Sequence, residues 1–270
     1  MLGAIIGDIV GSRYEWNNIK TKDFAFFSSE CHMTDDSIMT LAIAQALLAC
    51  EGDVVRAGDA AVQSMRKLGR AYPTCGFGHA FRKWLYFPRP KPYHSYGNGA
   101  AMRVSPCAYV ATSIEEAIAL SRAVTEVTHN HPEGLKGAEA VTVAIYLART
   151  GCSKADIREY IHRNYYSMRF SIEGIRLIYE FDASCQGSVP QAIKAFVESD
   201  SFEDAIRNAI SIGGDSDTIA AIAGSIAEAY YGIPRHMRQD ALTFMDDQTR
   251  SILDHFEQKY GKVERLNDAD

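Results

Sequence analysis

Residues 212–221 read IGGDSDTIAA, and beyond them Ile219, Ile222, Ala223, Ile226 and Tyr230 recur at helical spacing. Two glycines, two aspartates and a threonine therefore stand at the start of a helix whose apolar stripe is fit for burial. An ordinary helix start needs one capping acid. Two acids and a threonine beside a buried stripe need something to offset their charge.

The same pattern occurs once more. MTDDSIMTLAIAQALL, residues 33–48, sets Thr34, Asp35 and Asp36 before a second helix rich in Ala, Ile and Leu. At the N-terminus, MLGAIIGDIVG places Leu2, Ile5, Ile6 and Ile9 at helical spacing, while Gly3, Gly7 and Gly11 form a bare stripe that a neighbouring backbone or a ligand can approach. Asp8 and Glu15 lie seven apart and share a face if that helix persists, with Glu15 pointing from its C-terminal end.

Helical periodicity extends through 37–50, 53–69, 114–127, 132–149, 153–164, 171–182, 189–199, 202–211 and 246–260. Ser113 with Glu116, Ser153 with Asp156 and Ser201 with Asp204 read as N-terminal caps. Alternating strand patterns are nearly absent, and no long linker or low-complexity tract divides the chain. The expectation is an all-α protein with residues 1–270 as a single domain.

The chain has 270 residues, 47% of them hydrophobic, enough for one large core. No apolar run approaches the roughly 18–20 residues needed to span a bilayer, and the N-terminal run lacks a basic leader, so a cytoplasmic location is expected. The net charge of −6 argues against a surface for duplex nucleic acid and suits a site that collects cations. Six cysteines stand singly, outside any zinc or disulfide spacing, and are expected to be buried and reduced. YFPRPKPYHSYGNG, residues 86–99, is the least helical stretch, either a lid whose rings stack on a base or a plain surface loop.

The acidic sets admit two readings. Each is an exposed cap, as MDDQ at 245–248 is taken to be, or the two converge. A helix dipole contributes about 0.3–1 kcal/mol to a nearby carboxylate. Two carboxylates about 4 Å apart repel by about 4 kcal/mol at an effective dielectric near 20. If Asp35, Asp36, Asp215, Asp217 and Glu15 meet, two divalent cations would leave a remainder of about one negative charge, and oxygen-only donors favour Mg²⁺ or Mn²⁺ over zinc.

Taken together, GDIVGSRYE (7–15), MTDDS (33–37), GNGAAMR (97–103), THNHPEG (128–134) and GGDSDTIAAIAG (213–224) resemble, in order, the motifs of the ADP-ribosylglycohydrolase family. The resemblance implies a compact orthogonal multi-helix hydrolase with a cleft holding two Mg²⁺ or Mn²⁺ ions. It implies metal ligation by Thr34, Asp35, Asp36, Asp215, Asp217 and Thr218, and an acid at Glu15 that lies beside the metals and is displaced when substrate enters. It further implies that Gly97, Asn98 and Gly99 present backbone amides to the diphosphate at the start of a helix, and that Met102 packs either on ribose or in the core. His129 would contact substrate, Ser211 and Gly214 would lie near ribose, His131 would cap a helix, and Asp8 would fix the neighbouring metal loop.

The implied reaction is hydrolysis at C1″ of an ADP-ribosyl group carried by a protein or small molecule, with Glu15, Asp35, Asp36 and Asp215 as the candidate proton-handling acids. The alternatives are a hydrolase of a small metabolite such as O-acetyl-ADP-ribose or ADP-ribose 1″-phosphate, and a module that binds ADP-ribose without cleaving it. Oligomeric state is open.

Overall fold

The computed structural model describes residues 1–261, so the last nine positions of the expected 1–270 domain lie outside the described residues. Along the chain run α1 (Leu2–Gly11), α2 (Asp35–Ala49), α3 (Val54–Ala71), α4 (His79–Tyr86), α5 (Ser105–Val110), α6 (Ile114–Thr125) and α7 (Pro132–Arg149). Then come α8 (Lys154–Asn164), α9 (Ile172–Ile175), α10 (Cys185–Val197), α11 (Phe202–Ser211), α12 (Ser216–Tyr231), α13 (Arg235–Leu242) and α14 (Asp247–Tyr260). Among the described residues there is no strand, only an isolated bridge between Gly97 and Ser184. No described helix is long and apolar enough to cross a membrane.

Helix α1 lies at the centre, with every residue buried. Its glycine stripe packs on α12. A Cβ built on Gly3 would stand 2.3 Å from Gly224 O, one on Gly7 2.1 Å from Ala220 O, and one on Gly11 2.5 Å from Asp217 Cα. Only a bare backbone allows that approach. The consequence is functional, because the C-terminal end of α1 is brought against the N-terminal end of α12, where the acids are.

The caps form as expected. Ser113 accepts from Glu116 N, Ser153 from Asp156 N, Ser201 from Asp204 N, and Asp246 from Thr249 N. His131 Nδ1 accepts from Glu133 N at 3.1 Å, ahead of Pro132 in the first helical position. No cysteine is paired: Cys31, Cys50, Cys107 and Cys185 are buried and Cys75 and Cys152 half-buried.

Three expectations are corrected. The helix at 171–182 ends at Ile175. The segment beyond it leaves Leu177 and Ile178 exposed, sets Tyr179 against Gly214, and places Asp182 Oδ1 to accept from Ser184 N ahead of α10. Helix α10 begins at Cys185 rather than 189, because Ser184 caps it, and it carries Pro190 inside. Helix α1 does not persist to Glu15: after Gly11 the chain tightens into a 3₁₀ turn at Ser12–Tyr14, and Glu15 follows that turn.

Candidate functional site

Helix α2 begins with Thr34 as its N-cap, accepting from Asp36 N. Its other early amides are met from α1. Asp8, fully buried, accepts from Thr34 N at 2.9 Å, Ser37 N at 3.1 Å and Thr34 Oγ1 at 2.6 Å, and also from Ser37 Oγ. A carboxylate borrowed from another helix thus caps α2, which frees Asp35 and Asp36 from that duty.

At α12 the backbone does the turning. Gly213 and Gly214 have φ of +68° and +76°, a region that disfavours other residues. Asn18 clasps Gly214 on both sides, donating through Nδ2 to its carbonyl at 2.9 Å and accepting from its amide through Oδ1 at 2.7 Å. The same Nδ2 donates to Glu15 O at 3.0 Å, so one side chain ties the Glu15 segment to the α12 loop. Lys20 Nζ donates to Tyr179 O at 2.6 Å and to Ile212 O.

Asp215 holds the N-cap position of α12, yet its side chain makes no cap hydrogen bond. It accepts instead from Asn98 Nδ2 at 2.7 Å. The two acidic sets meet directly: Thr218 Oγ1 donates to Asp36 Oδ2 at 3.2 Å, across 182 residues of chain. One carboxylate oxygen each from Asp8, Asp36 and Asp217 lie within 4.8 Å of one another, and so do one each from Glu15, Asp215 and Asp217. Asp217 belongs to both groups. Asp35 belongs to neither; its Oδ1 faces Gly76.

Burial raises the pKa of these acids, and their mutual charge adds to it. Glu15 is pushed up to about 7 by burial, then by Asp215 and Asp8, and Asp35 to about 7 by burial and then Asp8. Asp36 and Asp217 are held well above the ordinary value by burial first, then respectively by Asp8 and by Asp36. Asp8 is raised by burial against the hydrogen bonds of Ser37 and Thr34. Without positive charge the cluster would take up protons. Asp36 Oδ1 is buried with no hydrogen-bond partner among the described residues, an acceptor left open where the two acidic sets meet. That atom, the all-oxygen donor set and the uncapped Asp215 fit a hard divalent cation.

The glycine loop differs from expectation in its amides. Asn98–Ala100 is one 3₁₀ turn, not the start of an α-helix, and α5 begins only at Ser105. Gly97 N donates to Ser95 Oγ at 3.1 Å and Asn98 N to Ala183 O at 2.8 Å, so two of the three amides are already engaged. Gly99 closes on a different neighbour: a Cβ there would lie 3.6 Å from His129 Nε2 and 3.8 Å from Met102 Cε. Met102 is buried in the core with its carbonyl accepting from Thr40 Oγ1 at 3.3 Å. Ser211 is fully buried, donating to Asn208 O at 2.9 Å and accepting from Arg176 Nε at 3.1 Å. A Cβ on Gly214 would stand 2.3 Å from the Tyr179 ring, so that residue sets the loop's contact with 176–184. In 93–96 the half-buried Tyr93 lies 5.7 Å from His129, while Tyr96, 5.1 Å from His131, remains exposed.

Asn18, Lys20 and Tyr179 were not foreseen from sequence. Trp16, directly after Glu15, was missed as well; it is exposed and stacks on Phe181 at 5.5 Å.

The profile of the ADP-ribosylglycohydrolase family matches residues 1–265. The chain belongs to that family. It is thereby a glycohydrolase. The family's curated members include ADP-ribosylhydrolase ARH3 of Mus musculus and of Homo sapiens, each 27% identical over 86% of this chain and 83% and 84% of the relative. The Xenopus tropicalis protein of the same name is 25% identical over 91% of each. A solved structure described as an ADP-ribosylglycohydrolase-related protein complex superposes with a TM-score of 0.68 over 95% of each chain, at 23% identity, which establishes the family fold.

Proposed function

We propose that this glycohydrolase cleaves the C1″ bond of ADP-ribosylated substrates, releasing ADP-ribose, with divalent cations, Mg²⁺ or Mn²⁺, held between α2 and α12. The observation that carries the reading is the buried, unpartnered Asp36 Oδ1 inside a group of acids drawn from opposite ends of the chain. The named activity of the ARH3 relatives supports the substrate class. Residues 1–270 are taken as one domain, a view favoured by the packing of α1 on α12 and of α2 on α14.

Thr34, Asp35, Asp36, Asp215, Asp217 and Thr218 are the proposed holders of two cations, with Asp8 added as a candidate because its oxygen lies among theirs. Bound there, the ions would supply Lewis-acid charge that holds ribose hydroxyls and eases deprotonation of a water. The chain's own residues do the rest. Asp8 fixes the first turn of α2 through its hydrogen bonds to Thr34 and Ser37. Asn98 aims Asp215. Glu15, whose carboxyl lies among those of Asp215 and Asp217, is placed to pass a proton to or from the reacting groups. His129 faces Gly97 and Gly99 across the expected substrate wall, and Trp16, next to Glu15, stacks on Phe181.

The test is release of free ADP-ribose from a panel of defined ADP-ribosylated proteins, peptides and small molecules, with and without Mn²⁺. Metal-dependent release lost by at least about a hundredfold in Asp215→Asn, with the fold retained, is the expected result. Equal release by wild type in chelator would overturn the reading.

A further inference from the structure

Arg103 closes the GNGAAMR stretch but lies beneath it, fully buried and, among the described residues, with no carboxylate at ion-pair distance. Its Nη2 donates to Thr128 Oγ1 at 2.6 Å and stands 3.4 Å from His129 Nδ1. Thr128 Oγ1 is in turn 2.7 Å from the same Nδ1. A guanidinium only donates, so Thr128 Oγ1 accepts from it and has its own hydrogen left to give. Two acceptors compete for that hydrogen: His129 Nδ1 at 2.7 Å and Thr125 O at 3.4 Å. The shorter contact selects the imidazole, so Nδ1 accepts, and Arg103 acts through the hydroxyl whose lone pair it occupies. The proton of a neutral ring then resides on Nε2. That atom has no hydrogen bond among the described residues and faces Gly97 and Gly99, where added Cβ atoms would stand 3.7 and 3.6 Å away.

We infer that Arg103 and Thr128 are positioning residues that lock His129 in the neutral Nε2–H tautomer, making it a fixed hydrogen-bond donor on the glycine-lined wall of the site. The ring then offers a hydrogen to an oxygen acceptor and does not act as a base. The inference rests on the proposed reading only in taking substrate oxygens, phosphate or ribose, as the recipients. Burial, followed by the Arg103 charge, holds His129 well below its ordinary pKa, in keeping with a ring that stays neutral. Arg103, pushed down to about 10 by burial, stays charged at neutral pH. Tyr93, whose ring lies 5.7 Å from His129, is pushed up to about 12 and stays neutral.

The experiment is a long-range ¹H–¹⁵N spectrum of the imidazoles in the full-length ¹⁵N-labelled protein from pH 5.5 to 8, with His129 assigned by its loss in His129→Gln. An Nε2–H signal that does not titrate is expected. In Thr128→Val the Nδ1–H form should appear, ADP-ribose affinity by calorimetry should fall about tenfold or more, and Thr128→Ser should restore both. An Nδ1–H or imidazolium ring at pH 7 in the wild type, or an unchanged tautomer in Thr128→Val, would overturn the inference. If the tautomer shifts in Thr128→Val while ADP-ribose affinity does not, the positioning role holds and it is the placement of substrate on this wall that fails.

Discussion

Asn98 shows how a single side chain can decide a site. Its Nδ2 reaches Asp215 Oδ2 at 2.7 Å and Ser188 Oγ at 3.0 Å, so it orients an acid that its own helix leaves uncapped. Substitution Asn98→Ala should lower turnover by about 10–100-fold and weaken Mn²⁺ binding, as loss of a hydrogen bond to a metal ligand does; steady-state kinetics against Mn²⁺ concentration would check this. Glu15 and Asp35 give a second prediction at this scale. Both are raised to about 7, from ordinary values of 4.5 and 3.8. A raised carboxyl contributes stability that is present below the unfolded value and is lost as pH climbs through the folded one. The melting temperature of metal-free protein should therefore fall between about pH 4 and pH 7, and less steeply in Asp35→Asn. Stabilisation by Mg²⁺ should grow over the same window, because cations compete with protons for the same oxygens. Thermal melts across pH, with and without metal, would show it; a metal shift indifferent to pH would contradict it.

Among the elements, the α1–α12 contact sets the site. Three acids within 4.8 Å would repel by about 3.5 kcal/mol per pair at an effective dielectric near 20, so the helices must be pressed together by packing. The glycine stripe supplies that close approach. Gly7→Ala would put a Cβ 2.1 Å from Ala220 O and should destabilise the protein by about 1–3 kcal/mol in urea unfolding, since backbone cannot yield as a side chain can.

Legibility in the sequence follows the range of the interactions. Ser113, Ser153 and Ser201 bond to amides three residues on, so their helices were readable locally. The segment after Ile175 looked helical by its apolar spacing, but Tyr179 packs on Gly214 from a distant part of the chain, a contact that no local pattern records. The acidic sets stood out because charge beside a buried stripe is anomalous at any range. Asn18 and Lys20 carried no such anomaly, since polar residues in a loop are ordinary until the chain folds them onto Gly214 and Ile212. The glycine loop was legible as a loop, yet the capture of its amides by Ser95 and Ala183 was not.

Taken whole, the molecule has a formal charge of −6 and must nevertheless bind a substrate that carries a diphosphate. The proposed cations between α2 and α12 would resolve that conflict, so ADP-ribose affinity measured by calorimetry should drop at least about tenfold in chelator. On the inference drawn above, His129, positioned by Arg103 and Thr128, would add a hydrogen toward the same oxygens.

Everything turns on whether the acids at Asp36 and at Asp215–Asp217 jointly hold hard cations. Anomalous scattering at the manganese edge from crystals soaked in Mn²⁺ asks this directly. The expected result is a peak about 2.0–2.3 Å from Asp36 Oδ1 and shared with Asp217, absent in Asp36→Asn. Fully occupied manganese elsewhere on the protein, with none at these oxygens, would contradict it.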